Sequence, residues 1–243
     1  MDRIEASSIA VRNQLLRALP ADDLARLAPA LKPVELIHKT TLFAADEPIT
    51  SVWFIEAGAV SLLAQMQDGA LVEVGVTGRE GMVGLPLVLG ADASPNLALV
   101  QMPGSALLLP AAALREALDA SPALQALLLR YALALHGQVS WTAACNGRHV
   151  IEQRLARWLL IAHDQADGDD LPLTHEVLSQ MLGVRRAGVS VAAGMLQRAG
   201  LIRLGRGHLT VTDRPGLEAA ACECYRSGLR EFERLLGPSL RRS

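Results

Sequence analysis

Nothing in the 243 residues approaches the roughly 20 continuous apolar residues of a membrane span, and even the run from Leu124 to Leu135 is interrupted by Arg130. The opening MDRIEASSIAVRNQLL carries acids and no signal-peptide apolar stretch, so a cytoplasmic location without membrane contact is expected. Cysteine is scarce: Cys145, Cys222 and Cys224 form an odd set that suits a reducing compartment and excludes a disulfide framework. Cys222-x-Cys224 would need further ligands at matching spacing to hold a metal or an iron–sulfur cluster, and the one other cysteine lies far upstream; no metal and no cofactor are expected. A phosphate loop, an internal repeat and a low-complexity tract are also missing.

Cys145 and His149, four residues apart, could serve an enzyme as nucleophile and base. The pair flanks a hinge and has no orienting acid beside it, so no catalytic residue is expected. With 51% hydrophobic and 20% charged residues, the chain suits a folded globular protein, and its length suits two domains.

From Val34 to Pro110 the sequence reads as short β-branched or aromatic stretches between glycine-marked turns: VELIHKT, SVWFIEAG, AVSLLAQMQDG, LVEVGVTG, LALVQMPG and SALLLP. Asp68-Gly69 predicts a two-residue hairpin turn, because glycine supplies the positive φ cheaply. A β-sandwich or jelly roll would close such a set. After Pro110 the spacing turns helical, first in AAALREALDA and then from Pro122 to Asn146. In the second run Leu124, Leu128, Tyr131, Leu135, Gln138, Thr142 and Cys145 recur at steps of four and three, which predicts a dimerising coiled-coil seam; packing on its own β-domain is the alternative. Asn146-Gly147-Arg148 reads as a hinge, and IEQRLARWLLIAHDQA opens a second domain with Leu155, Trp158, Leu159 and Ala162 on one stripe.

The net charge of -2 hides a basic segment: Leu171 to Thr212 holds Arg185, Arg186, Arg198, Arg203 and Arg206 against one acid, Glu176. The segment reads as helix, turn, helix and hairpin. Thr174 is the predicted N-cap, Val177, Leu178 and Met181 form the inner face, and Gly183 permits the tight turn. On the next helix Val189, Ala192, Ala193 and Leu196 share the buried face. Arg185 and Arg186 stand at the end that would enter a DNA major groove. LIRLGRGHLTVTD then alternates about a Gly-Arg-Gly turn and forms a wing presenting Arg203, Arg206 and His208. Thr174, His175 and Ser190 complete the expected DNA-binding set. Gly188 and Gly194 oppose the helix by about 1 kcal/mol each relative to Ala.

Four segments, SVWFIEAGAVSLL, GREGMVG, RLARWLL and LSQMLGVRRAGVSVAAGMLQRAGLI, give the chain a resemblance to the Crp/Fnr superfamily of bacterial transcription regulators. The resemblance covers nearly the whole chain. It implies an α+β fold with an N-terminal jelly-roll sensory domain (1–121), a dimerisation helix and hinge (122–148), and a C-terminal winged helix-turn-helix domain (149–243). The implied partners are an operator in double-stranded DNA, a second copy of the chain, RNA polymerase and a small effector. The implied effector pocket, at Gly84, Leu85, Asn96, Leu97, Val139 and Ser140, is degenerate. Where cyclic-nucleotide binders of the family carry Gly-Glu and a later Arg-Ser or Arg-Thr, this chain has Gly84-Leu85 and Asn96-Leu97, so cyclic AMP loses its charge-assisted partner. The family's N-terminal iron–sulfur cysteines are absent, and His38 and His136 read as ordinary packed residues rather than haem ligands. An unidentified effector other than cyclic AMP is expected; the alternative is a ligand-independent regulator whose β-domain serves only dimerisation or polymerase contact.

Overall fold

The computed structural model describes residues 11–238; the outermost residues of the domain bounds above, and most of the opening segment read for a signal peptide, lie outside them. The elements run α1 (Gln14–Arg17), α2 (Ala21–Leu27), β1 (Lys32–Leu36), β2 (Thr41–Phe43), β3 (Ser51–Gln65), β4 (Leu71–Thr77), β5 (Met82–Val83), β6 (Asn96–Pro110), α3 (Ala111–Ala120) and α4 (Pro122–Arg148). They continue with α5 (Ile151–Gln165), β7 (Asp170–Leu171), α6 (His175–Leu182), α7 (Arg186–Arg198), β8 (Ile202–Leu204), β9 (Leu209–Val211), α8 (Arg214–Ala220) and α9 (Cys224–Leu236). The chain is α+β: an antiparallel β-domain, a long helix and a helix-turn-helix domain with its own three-stranded sheet.

Four of the six apolar stretches of the first domain join into two long strands. β3 and β6 pair from Ser51 opposite Pro110 to Ala64 opposite Asn96, with β1 and β2 on the outer side of β6 and β4 and β5 beside β3. Gly58 and Gly104, which read as turn markers in the sequence, instead sit within the strands, where the register shifts. A Cβ on Gly104 would lie 2.1 Å from the Ala57 carbonyl oxygen, and Gly58 has φ 83. The glycines thus let the backbones cross closely at bulges that bend the sheet. The Asp68-Gly69 hairpin also differs from the two-residue expectation. Met66 N–H donates to Ala70 O (2.8 Å) and Gly69 N–H to Met66 O (2.9 Å), leaving a three-residue loop closed by glycine at φ 82.

The Ser121 hydroxyl accepts from Leu124 N (3.0 Å), and Pro122 opens α4. The helix runs on through Asn146-Gly147-Arg148, so the bend falls one step later, at His149 and Val150, both in extended conformation. The predicted seam also faces elsewhere than expected. Leu124, Leu128, Tyr131 and Leu135 are buried within the chain itself, in one core with Phe54, Ile55, Leu109 and Leu114. Tyr131 O–H donates to Met82 O (3.0 Å), Gln138 Oε1 accepts from Val76 N (3.0 Å) and Thr142 Oγ1 accepts from Arg157 Nη2 (2.9 Å). Helix α9 lies along α4, with the Phe232 ring 6.5 Å from that of Tyr131. The four-three spacing therefore marks the inward face. The opposite face exposes Leu129, Leu133 and Trp141 at 46%, 50% and 36%.

In the C-terminal domain Leu155, Leu159, Leu178, Val189, Ala192, Ala193 and Leu217 are at most 1% exposed. Gly188 has a packing reason: a Cβ there would come within 3.1 Å of Ile151 Cδ1, so its absence lets α7 approach α5. Arg214 ties α8 to α5 through Asp164 (2.7 Å), which also accepts from the Tyr225 hydroxyl (2.8 Å).

The two domains meet along β4, α5 and α6. Buried Glu73 accepts from the Trp158 indole N–H (2.6 Å) and from the Ser61 hydroxyl (2.6 Å), and Arg79 pairs with Asp167 (3.0 Å). No helix among the described residues is long and apolar enough to cross a membrane.

Candidate nucleic-acid interface and effector cavity

The Thr174 hydroxyl accepts from Val177 N (3.2 Å) and starts α6; Gly183, at φ 60, ends it in the left-handed conformation that glycine adopts without penalty. The turn delivers α7 with Arg185 as its N-cap and Arg186 as its first residue. Both are exposed, whereas Val189, Ala192, Ala193 and Leu196 turn inward, which fixes the face of α7 that is free to meet a partner. The N-terminus of α7 carries partial positive charge from its unpaired N–H groups, which adds to that of the two arginines.

Ser190 Oγ lies 3.0 Å from His175 Nδ1 and donates to the Arg186 carbonyl (3.1 Å), so the side chains of α6 and α7 join across the turn. Strands β8 and β9 form the hairpin, with Gly207 at φ 82 and Gly205 N–H donating to His208 O (2.9 Å). Arg203, Arg206 and His208 are exposed on it. Gln197 Oε1 accepts from Leu204 N (2.8 Å) and holds the hairpin to α7. Thr174, His175, Arg186 and His208 line one crevice of about 260 Å³ between α6, α7 and the hairpin tip. Arg185, Ser190, Arg203 and Arg206 stand outside that crevice.

Ala187 and Val191 on this face are apolar from the sequence alone, and the structure adds Met195 to them. Met195 is 45% exposed, one turn beyond Val191 at 56%, so Ala187, Val191 and Met195 form an apolar strip along the outer side of α7. Their four-residue spacing is the signal that marks it.

A second cavity, of about 420 Å³, opens between the β-domain and α4. Gly84, Leu85, Asn96 and Val139 line it as expected, with Ala132, Leu135 and His136. Leu97 and Ser140 do not: Leu97 follows Asn96 on β6 and so projects to the other side of the sheet, and Ser140 is exposed and donates to His136 O (2.9 Å). Gly84 sits at φ 101, and a Cβ there would meet Val52 Cγ1 at 2.8 Å. The turn is thus intact, but the lining has no Arg, Lys, Asp or Glu among the described residues, and its polar side chains are Ser94, Asn96 and His136. His38 lies elsewhere, with Nδ1 2.9 Å from the Gln101 carbonyl oxygen.

The fold also overturns the reason for expecting no metal ligand set. Cys145, His149, Cys222 and Cys224, distant in sequence, meet where α4 ends and α9 begins. Cys145 is fully buried among these groups.

Two family models match the chain and together cover well over half of it. A cyclic nucleotide-binding domain matches residues 34–121, and a Crp-like helix-turn-helix domain matches residues 153–220. No curated protein sequence matches. Solved structures share the fold. FixK2 from Bradyrhizobium japonicum is 18% identical with a TM-score of 0.67, covering 79% of this chain and 98% of that one. A CRP-family transcriptional regulator from Thermus thermophilus is 21% identical with a TM-score of 0.63, covering 77% and 96%. The c-di-GMP responsive global regulator CLP of Xanthomonas campestris is 16% identical with a TM-score of 0.60, covering 79% and 99%. With both domain types in this order on this fold, the chain belongs to the Crp/Fnr family of transcription regulators.

Proposed function

We propose that this regulator is a homodimer that reads a DNA operator with Arg185 and Arg186 and grips phosphate with Arg203, Arg206 and His208. The observation that carries this reading is the exposed arginine pair at the start of α7 beside an exposed basic hairpin, with the opposite face of the helix fully buried. Arg186 is the base reader in this scheme, since a guanidinium matches guanine O6 and N7 in a bidentate pair. Val191 and Met195 offer apolar contact, suited to thymine methyl groups, and leave more of the specificity to DNA shape. Two copies would pair through the outer face of α4, at Leu129 and Leu133, and set two reading helices about one DNA turn apart, roughly 34 Å.

The cavity's largely apolar lining, which holds no arginine or lysine, favours an apolar effector over a cyclic nucleotide, whose phosphate would find no guanidinium or ammonium there. Contacts with RNA polymerase belong to the same reading. The test is operator and random-sequence affinity across a salt series. Arg186→Ala should lose about 1 to 3 kcal/mol on the operator and relax preference at one position, whereas Arg206→Ala should weaken all sequences alike and flatten the salt slope by about one ion. Wild-type binding by Arg186→Ala, or the same uniform loss in both variants, would overturn this division of labour.

A further inference from the structure

The three cysteines take no part in the DNA-binding face or the effector cavity, yet the fold gathers them. Cys145 lies in the last turn of α4, His149 directly follows that helix, Cys222 sits in the α8–α9 connection and Cys224 opens α9. Cys145 Sγ is 3.5 Å from Cys222 Sγ, and Cys224 Sγ is 3.6 Å from His149 Nδ1. All four ligand atoms fall within 4.8 Å of one another.

A tetrahedral zinc ion, with Zn–S about 2.3 Å and Zn–N about 2.0 Å, places its ligand atoms about 3.5 to 3.8 Å apart. The observed separations match that spacing with little movement. A cluster of several irons would put metal and sulfide between the thiolates and hold them farther apart. We propose that Cys145, His149, Cys222 and Cys224 form a four-ligand site for one zinc ion, which pins the end of α4 to the start of α9 across the bend at His149 and Val150.

Two neighbours independently suit this assignment. Glu223 Oε2 lies 3.2 Å from His149 Nε2, the carboxylate–imidazole pairing that fixes a metal-bound histidine and leaves its other nitrogen free for the ion. Three thiolates and a neutral imidazole around Zn²⁺ leave one negative charge. Arg157, 6% exposed, supplies the opposite charge: it acts on Cys145 and Cys224, and its Nε is buried without a hydrogen-bond partner among the described residues. With four protein ligands there is no open position, so the site is structural rather than catalytic. A disulfide between Cys145 and Cys222 would leave Cys224, His149 and Glu223 without a common purpose.

The experiment is metal analysis of the full chain, purified without a histidine tag, under reducing and oxygen-free conditions from zinc-supplemented cells. The expected content is about one zinc per chain. After chelation, added cobalt(II) should give the visible bands of a tetrahedral ion and a thiolate charge-transfer band, saturating at one equivalent. All three thiols should react with an alkylating agent at least tenfold faster without metal than with it. Glu223→Gln, which leaves every ligand in place, should weaken zinc binding about tenfold to a hundredfold. Cys222→Ser should abolish stoichiometric binding, and the cobalt titration of the unsubstituted chain stands even if that variant fails to fold. Metal-free protein that yields no tetrahedral cobalt spectrum overturns the proposal, as does iron with inorganic sulfide in place of zinc, or a Cys145–Cys222 disulfide.

Discussion

Glu73 joins the two domains and makes the fold sensitive to pH. Burial raises its carboxyl from the ordinary 4.5 to about 7, against the opposing pull of hydrogen bonds from Ser61 and Trp158 and of the Arg157 charge. A carboxyl raised in the folded state binds its proton more tightly there than in the unfolded chain. Its contribution is fully present below the unfolded value of 4.5 and is lost as pH rises through about 7. One pH unit of displacement is worth about 1.4 kcal/mol, so the full loss is about 3 kcal/mol, a sizeable part of the stability of an ordinary domain. Glu73→Gln removes the titrating group while keeping an oxygen for the Trp158 indole and an amide for the Ser61 hydroxyl. Urea denaturation at fixed protein concentration, from pH 5 to pH 8, should show the wild type losing most of that amount relative to the glutamine variant, which should be the more stable of the two at pH 8. Parallel pH profiles, or a glutamine variant less stable than wild type at pH 8, would refute the assignment of burial as the dominant effect at this carboxyl.

Leu129→Asp with Leu133→Asp should leave a folded chain that sediments as a monomer, because both side chains are already exposed. Leu128→Asp, on the inward face, should instead cost more than about 3 kcal/mol by leaving a buried charge unpaired, seen as loss of the cooperative unfolding transition. Cyclic AMP should give no calorimetric binding signal at micromolar concentrations. An uncharged naphthalene dye should bind the cavity between the β-domain and α4 and lose at least tenfold in affinity in Ala132→Trp, which fills it from α4. Tight cyclic AMP binding, or a dye indifferent to Ala132→Trp, would contradict the reading of that lining.

The helix-turn-helix was legible because its signals are local: a capping Thr174, a left-handed Gly183 and a three-four stripe from Val189 to Leu196 each act within a turn or two of chain. Signals that depend on a neighbour were not. The heptad spacing in α4 identified an apolar face but carries no information on what covers it, and Leu129 and Leu133 made the other face nearly as apolar. Gly58 and Gly104 look like turn residues until the paired strand shows that each avoids a carbonyl on its neighbour. The cysteine cluster was invisible for the same reason, since Cys145 and Cys222 are 77 residues apart and only the packing of α9 along α4 closes that distance. In the cavity beside α4 the missing acid and arginine were readable at Leu85 and Asn96, but strand alternation, which turns Leu97 away, required the register.

Helix α4 has two sides of different surroundings. Ala132, Leu135, His136 and Val139 line the cavity, while Leu129 and Leu133 lie on the solvent side of the same rigid rod, whose far end carries the DNA-binding domain. In the proposed dimer, a guest in the cavity that rolls or slides this rod would change the outer face and the aim of the reading helices in one motion. Thermodynamic linkage then makes the traffic two-way: whatever factor the guest adds to operator affinity, the operator must add to affinity for the guest. An effector screen run in the presence of operator DNA would therefore start from the conformation that an activating ligand prefers, and would detect such a ligand at lower concentrations than a screen of the free protein.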